Sequence, residues 1–85
     1  MKPIRMNQLR HYLDSLRQYG RPVRMLACPQ GDGFQVVIQS GKDCRYVACG
    51  HEGRPMIRQH IKGVMSFARR FGIDPMTHLT FKEAC

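Results

Sequence analysis

A row of five cations with no carboxylate between them is the pattern in this sequence that could do the most specific chemistry. The row consists of Arg54, Arg58, Lys62, Arg69 and Arg70. A lysine or arginine that meets a backbone phosphate releases a condensed counterion, and arginine can also contact two phosphate oxygens at once. The row is therefore a candidate nucleic-acid-binding set. The alternative is a solvated helix face that binds nothing.

The charge balance of the whole chain favours the same class of partner. Fourteen Lys and Arg residues stand against six Asp and Glu, which gives a net charge of +8 in 85 residues. Such an excess favours anionic partners, namely nucleic acid, an acidic protein or an anionic lipid surface. The hydrophobic content of 42% argues against disorder.

Cysteine and histidine residues could serve two further kinds of site. Cys28, Cys44, Cys49 and His51 could hold a zinc ion, but no C-x-x-C pair is present. Cys49, His51 and Glu52 could form a nucleophile with its base, but neighbours in one loop rarely converge on one point. We therefore expect no metal, no cofactor and no enzymatic activity.

No apolar run is long enough for a signal peptide or a membrane span. The sequence thus predicts a cytoplasmic protein that does not associate with membranes. In that compartment, cysteines are expected as free and mostly buried thiols rather than as a disulfide framework. The four are Cys28, Cys44, Cys49 and Cys85.

The cations are placed by an amphipathic segment that predicts a helix at 57–71. At roughly 100° per residue, its apolar side chains share one arc. They are Ile57, Ile61, Val64, Met65, Ala68 and Phe71. Arg58, Lys62, Ser66 and Arg69 fall opposite, with Arg70 beside them, so Arg58 and Lys62 are predicted to be exposed. Gly72 would end the helix. The alternative is a short edge strand at 55–58 with the helix beginning near His60.

The rest of the chain predicts an α+β fold in a single domain, 1–85. Residues 1–5 are a lead-in, and leucines at helical spacing predict a helix at 6–19. Alternating apolar residues predict strands at 23–28, 34–39 and 44–49, with a further possible strand at 78–81. Short glycine-containing turns favour an α-β-β-β-α order, with a three-stranded antiparallel meander and both helices on one face.

The other face of the predicted sheet mixes polar and apolar side chains. Leu26, Val37 and Val47 fall there among arginines and glutamines. An exposed apolar patch of this kind is expected to be covered by the C-terminal segment or by a second subunit. A homodimer, or docking of this face onto an acidic protein, is therefore the alternative to nucleic-acid binding.

The α-β-β-β-α order over residues 7–72 resembles the double-stranded-RNA-binding domain. In that family, the first inter-strand loop reaches a minor groove and a lysine-rich start of the second helix contacts phosphates. The stretches at those places are Gln30-Gly31-Asp32-Gly33 and Arg58-Gln59-His60-Ile61-Lys62. The Gly-Pro-x-His loop and the paired lysines of the family are absent, and Asp32 puts an acid in the loop. The resemblance is one of topology and charge, and it implies phosphate contacts from the second helix.

Most of the chain also resembles a family of small uncharacterised bacterial proteins, and this is the closer of the two likenesses. The shared features are a leading amphipathic helix, a glycine-turned meander, the Gly53-Arg54-Pro55 step and a closing apolar strand with an acidic tail. This family implies no activity. From the residues themselves, the leading hypothesis is a small accessory or regulatory protein that binds nucleic acid through a cationic helix face.

Overall fold

The computed structural model describes residues 2–41, 44–50 and 53–83, without the side chain of Cys44. Two helices and six strands follow one another in these described residues. They are β1 (Lys2–Arg5), α1 (Met6–Gln18), β2 (Arg24–Gln30), β3 (Gly33–Ser40), β4 (Cys44–Cys49), β5 (Ile57–Arg58), α2 (Ile61–Arg70) and β6 (Leu79–Phe81). The α+β class expected from the sequence is confirmed.

All six strands belong to one mixed sheet, with the order β1-β4-β3-β2-β6 and with β5 also paired to β3. The β2–β3 and β3–β4 pairs are antiparallel, whereas β1–β4 and β2–β6 are parallel. The predicted α-β-β-β-α order and purely antiparallel meander are therefore wrong. One error lies in the segment expected as a lead-in. Residues 2–5 form β1 instead, in register from Lys2 opposite Tyr46 to Arg5 opposite Cys49, and Ile4 is buried.

Both helices pack on one face of the sheet. In α1, Leu9, Leu13 and Leu16 are buried because a spacing of three or four residues returns to the same side of a helix. One cluster joins the first two of these leucines to the aromatic side chains of the α2 region and to the strands. The strand residues in it include Met25, Val36, Ile38 and Ala48. Within the described residues, neither helix has the length and apolar character needed to cross a bilayer.

The helix predicted at 57–71 begins only at Ile61, after a two-residue strand. The open alternative, an edge strand followed by a helix start near His60, describes this segment correctly: His60 is the extended N-cap residue of α2. Ile57 and Ile61 are 42% and 54% exposed, whereas Phe67 is buried. The predicted apolar arc is thus wrong at its start, because pairing of β5 with β3 takes Ile57 out of the helix.

Helix α2 ends as its glycine predicts. Gly72 has a φ of +73°, which glycine adopts without the penalty that a Cβ would bring. The N–H of Ile73 donates to the carbonyl oxygen of Ala68 at 2.8 Å, which is the hydrogen bond of a Schellman motif that spans more residues. Ile73 is itself buried, so the reversal of the chain also adds an apolar side chain to the core.

The apolar residues on the other face of the sheet are not an exposed patch. Leu26, Val37 and Val47 are only 3%, 0% and 7% exposed within this single chain, so they are covered without a second subunit. Cys28 lies beside the first two and is disulfide-bonded. The expectation of free thiols is therefore wrong for Cys28, whereas Cys49 is a free, buried thiol.

Close packing of β5 against β3 makes Gly33 a sensitive position. A Cβ there would lie 2.7 Å from the carbonyl oxygen of Arg58 and 2.8 Å from Cγ2 of Ile57. We expect Gly33→Ala to lower the free energy of unfolding by about 1–3 kcal/mol through overpacking. The control is Gly50→Ala, because a Cβ at that site meets no atom within 4 Å and the φ is not positive. Thermal unfolding of both variants measures the difference, and equal transition temperatures would contradict this packing.

Candidate nucleic-acid interface

The outward face of α2 carries cations that no acid of the described residues neutralises. Lys62, Ser66 and Arg69 are exposed and lie opposite the buried Val64 and Ala68. Lys62 and Arg69 make no ion pair within the described part of the chain. The sequence of α2, Ile61–Arg70, contains no carboxylate. This part of the candidate set therefore presents positive charge directly to solvent.

Arg58 occupies a different environment from the one expected for it. It belongs to β5 rather than to the helix and is only partly exposed. Its guanidinium carbon lies 5.7 Å from the ring centroid of Phe67, a cation–π distance. Its Nε is buried and has no hydrogen-bond partner among the described residues. The prediction that Arg58 is exposed beside Lys62 is thus wrong, because the side chain packs over the aromatic core.

Arg54 lies in the loop before β5. Its carbonyl oxygen accepts a hydrogen bond from the N–H of Gly50 at 2.9 Å, which closes the loop between β4 and β5. The side chain is exposed, but the residue has an interaction partner. We therefore do not place it with the unneutralised cations of α2.

Arg70 faces α1, unlike its neighbour Arg69. It lines a cavity of about 160 Å³ between the two helices. The cavity is lined by Arg10, Leu13, Asp14, Arg17, Arg70, Phe71 and Gly72. Three arginines from two helices thus converge on one space.

Two of these arginines are held by Phe71. The guanidinium carbon of Arg10 lies 5.3 Å from the centroid of the Phe71 ring. Nη2 of Arg17 donates a hydrogen bond to the Phe71 carbonyl oxygen. Sequence reasoning missed Arg10 and Arg17 as functional candidates. Their seven-residue spacing places them on one side of α1, but only the packing of α2 shows what that side faces.

A second cavity of about 280 Å³ continues past the first, and both are lined by Arg17 and Gly72. Its lining adds Arg21, Pro22, Val23, Ile73, Asp74 and His78. We call the two cavities together the inter-helix groove. The groove is lined by four arginines and two aspartates, so this surface is positively charged, as the outward face of α2 is.

The other chemistries considered from the sequence involve residues that the structure describes only in part. His51, Glu52 and the side chain of Cys44 lie outside the described residues. The Cys49 thiol is buried and donates to the carbonyl oxygen of Val47 at 3.4 Å. Across residues 2–41, 44–50 and 53–83, no three metal-ligating side chains come together.

Comparison with protein-family models, curated proteins and solved structures gives no significant match. Neither likeness noted from the sequence gains support from it. The likeness to the double-stranded-RNA-binding domain also depended on an α-β-β-β-α order, whereas the sheet here includes two further strands in parallel pairing.

The different environments of Arg58 and Lys62 predict opposite responses to the same substitution. We expect Arg58→Glu to lower the free energy of unfolding by about 1–3 kcal/mol, because it removes a cation–π contact and places a carboxylate over an aromatic face. Lys62→Glu should change it by less than about 1 kcal/mol and in the stabilising direction, since the first turn of α2 holds no acid. Chemical denaturation measures both. Equal effects would mean that Arg58 is not packed over Phe67.

Proposed function

We propose that this protein is a small non-enzymatic accessory or regulatory protein that binds nucleic acid through α2. The observation that carries the proposal is the exposure of Lys62, Arg69 and Arg70 on a helix without a carboxylate. None of the three forms an ion pair within the described residues. Cations that remain unneutralised in the folded chain gain most from meeting phosphates, because no intramolecular pair has to be broken first.

The geometry of α2 suits contacts to a phosphate backbone. Lys62 and Arg69 are seven residues apart, which is roughly 10 Å along the axis of a helix. That distance spans several nucleotides of a strand that rises about 3.4 Å per phosphate. The net charge of +8 adds a long-range attraction that speeds encounter with any polyanion. Contacts of this kind position a protein on nucleic acid without reading its sequence.

Docking of an acidic protein, or a second copy of this chain, onto the far face of the sheet is the competing hypothesis. That hypothesis rests on an exposed apolar patch, but Leu26, Val37 and Val47 are buried. What that face offers to a partner is its exposed Arg24 and Arg45. Removing positive charge from α2 and, separately, from this face of the sheet therefore distinguishes the two hypotheses.

The test is a titration of labelled duplex RNA, duplex DNA and a single strand at several salt concentrations, followed by fluorescence anisotropy. Phosphate binding predicts that the logarithm of the association constant falls linearly with the logarithm of salt concentration. The double variant Lys62→Gln/Arg69→Gln should bind more weakly and reduce this slope by about two, one for each lost contact. Both side chains are exposed, so its thermal transition should stay close to that of the parent.

The matched control is Arg24→Gln/Arg45→Gln, which removes the same charge from the opposite face of the molecule. It should retain most of the affinity and slope of the parent protein. Absence of binding to all three nucleic acids at low salt would overturn the proposal. Equal losses in the two double variants would also overturn it, because they would show a response to net charge rather than contacts from α2.

A further inference from the structure

The inter-helix groove gathers like charges that its own acids do not balance. Among the described residues, its first cavity is lined by Arg10, Arg17 and Arg70 and by one acid, Asp14, a net charge of +2. The Asp14 carboxylate lies 3.9 Å from Nη1 of Arg17, and this pair is exposed, so it is weak. Guanidinium groups that face one small space repel one another. An anion placed among them would remove that repulsion and receive several hydrogen bonds.

Two of the three arginines in the first cavity are held in place before any ligand arrives. Stacking on Phe71 restricts Arg10, and the bond to the Phe71 carbonyl oxygen restricts Arg17. Gly72 leaves room for the second of these, because a Cβ there would lie 2.9 Å from Nη2 of Arg17. Side chains that are already ordered lose less conformational entropy when they bind.

We propose that this groove is a binding site for a phosphoryl group. The charge of +2 matches a phosphate monoester, which carries about −1.5 to −2 at pH 7, better than it matches a carboxylate. A volume of about 160 Å³ equals roughly five water molecules, at about 30 Å³ each. The planar N–H forks of arginine fit phosphoryl oxygens. The second cavity, beside Pro22 and Val23, has room for the organic part of an ester.

This inference goes beyond the proposed function, because the site lies on the side of α2 that faces α1 and uses arginines of α1. The phosphoryl group could belong to a small phosphate ester or to a nucleic-acid backbone. Both sources share one chemistry at the groove. They differ in whether the outward-facing Arg69 takes part, and the experiment is arranged to show this.

The first measurement is an NMR titration of the protein with inorganic pyrophosphate, read on the arginine Nε–H signals at constant ionic strength. We expect saturable shifts at Arg10, Arg17 and Arg70. Arg10→Gln and Arg70→Gln should each weaken pyrophosphate binding by about tenfold, the loss expected for a charge-assisted hydrogen bond. Arg24→Gln, which removes one charge from the far face of the sheet, should leave the affinity unchanged. Acetate should produce no saturable shift.

Thermal unfolding supplies a second readout, because a ligand that binds only the folded state raises the transition temperature. Phosphate salts also stabilise proteins by exclusion from their surface, and this contribution to the rise in transition temperature should remain in every variant. The part that saturates should require about tenfold more pyrophosphate in Arg10→Gln and Arg70→Gln. These variants keep the Arg17 bond to Phe71, so the fold remains available for the comparison.

The source of the phosphoryl group follows from repeating the titration with a single-stranded oligonucleotide on Arg69→Gln and Arg70→Gln. Weaker oligonucleotide binding in both, with pyrophosphate binding weaker only in Arg70→Gln, supports a groove that holds a backbone phosphate. Pyrophosphate binding without oligonucleotide binding supports the groove as a small-ester site and overturns the proposed function alone. Shifts that do not saturate, or that acetate reproduces, overturn the groove site and leave the proposed function standing.

Discussion

The burial of one side of α2 against the sheet decides which cations of this chain meet solvent. Val64, Phe67 and Ala68 turn inward, and full burial of one large apolar side chain contributes about 1.5–3 kcal/mol. Rotation of the helix would expose these side chains, at a cost far above the fraction of a kcal/mol that a surface charge typically contributes. The positions of Lys62, Arg69 and Arg70 therefore follow from core packing rather than from any attraction among polar groups.

Phe71 extends this constraint from one helix to the other. Its ring lies in the core cluster and also supports the Arg10 guanidinium, while its carbonyl oxygen accepts a bond from Arg17. A residue just past the end of α2 thus sets the position of two charged side chains of α1. The helix termination at Gly72 matters for the same reason, because it leaves this carbonyl free for the arginine. Phe71 therefore takes part in the core, in the end of α2 and in positioning the surface arginines.

The features that sequence reasoning predicted are those governed by neighbours along the chain. The side of α1 that is buried, the reversal at Gly72 and the exposure of Lys62 and Arg69 all follow from periodicity or from glycine. The two-residue β5 was only an alternative, because hydrogen bonds to β3 rather than its own residues make it a strand. The same is true of β1, whose partner β4 lies far along the chain.

The candidate site residues also divide into those placed by local periodicity and those placed by contacts between distant segments. Periodicity alone could place cations on the outward face of α2, but not the stacking of Arg58 on Phe67, which depends on how β5 meets the helix. Arg10, Asp14 and Arg17 form a stripe at helical spacing on the exposed side of α1. Only the crossing of the two helices turns that stripe into the wall of a cavity.

The parallel pairing of β1 with β4 has a consequence for how the molecule assembles. Lys2 lies opposite Tyr46, and Met25 lies opposite Leu79, so β1 cannot pair until β4 is available, and β2 cannot complete its second pairing until β6 is available. The β2–β3 hairpin, joined through the two-residue turn at Gly31 and Asp32, can form from local contacts long before either event. Pairing of β2 with β3 is therefore expected to precede the two parallel pairings, and completion of the sheet is expected to be slow because its outer strand pairs join distant parts of the polypeptide.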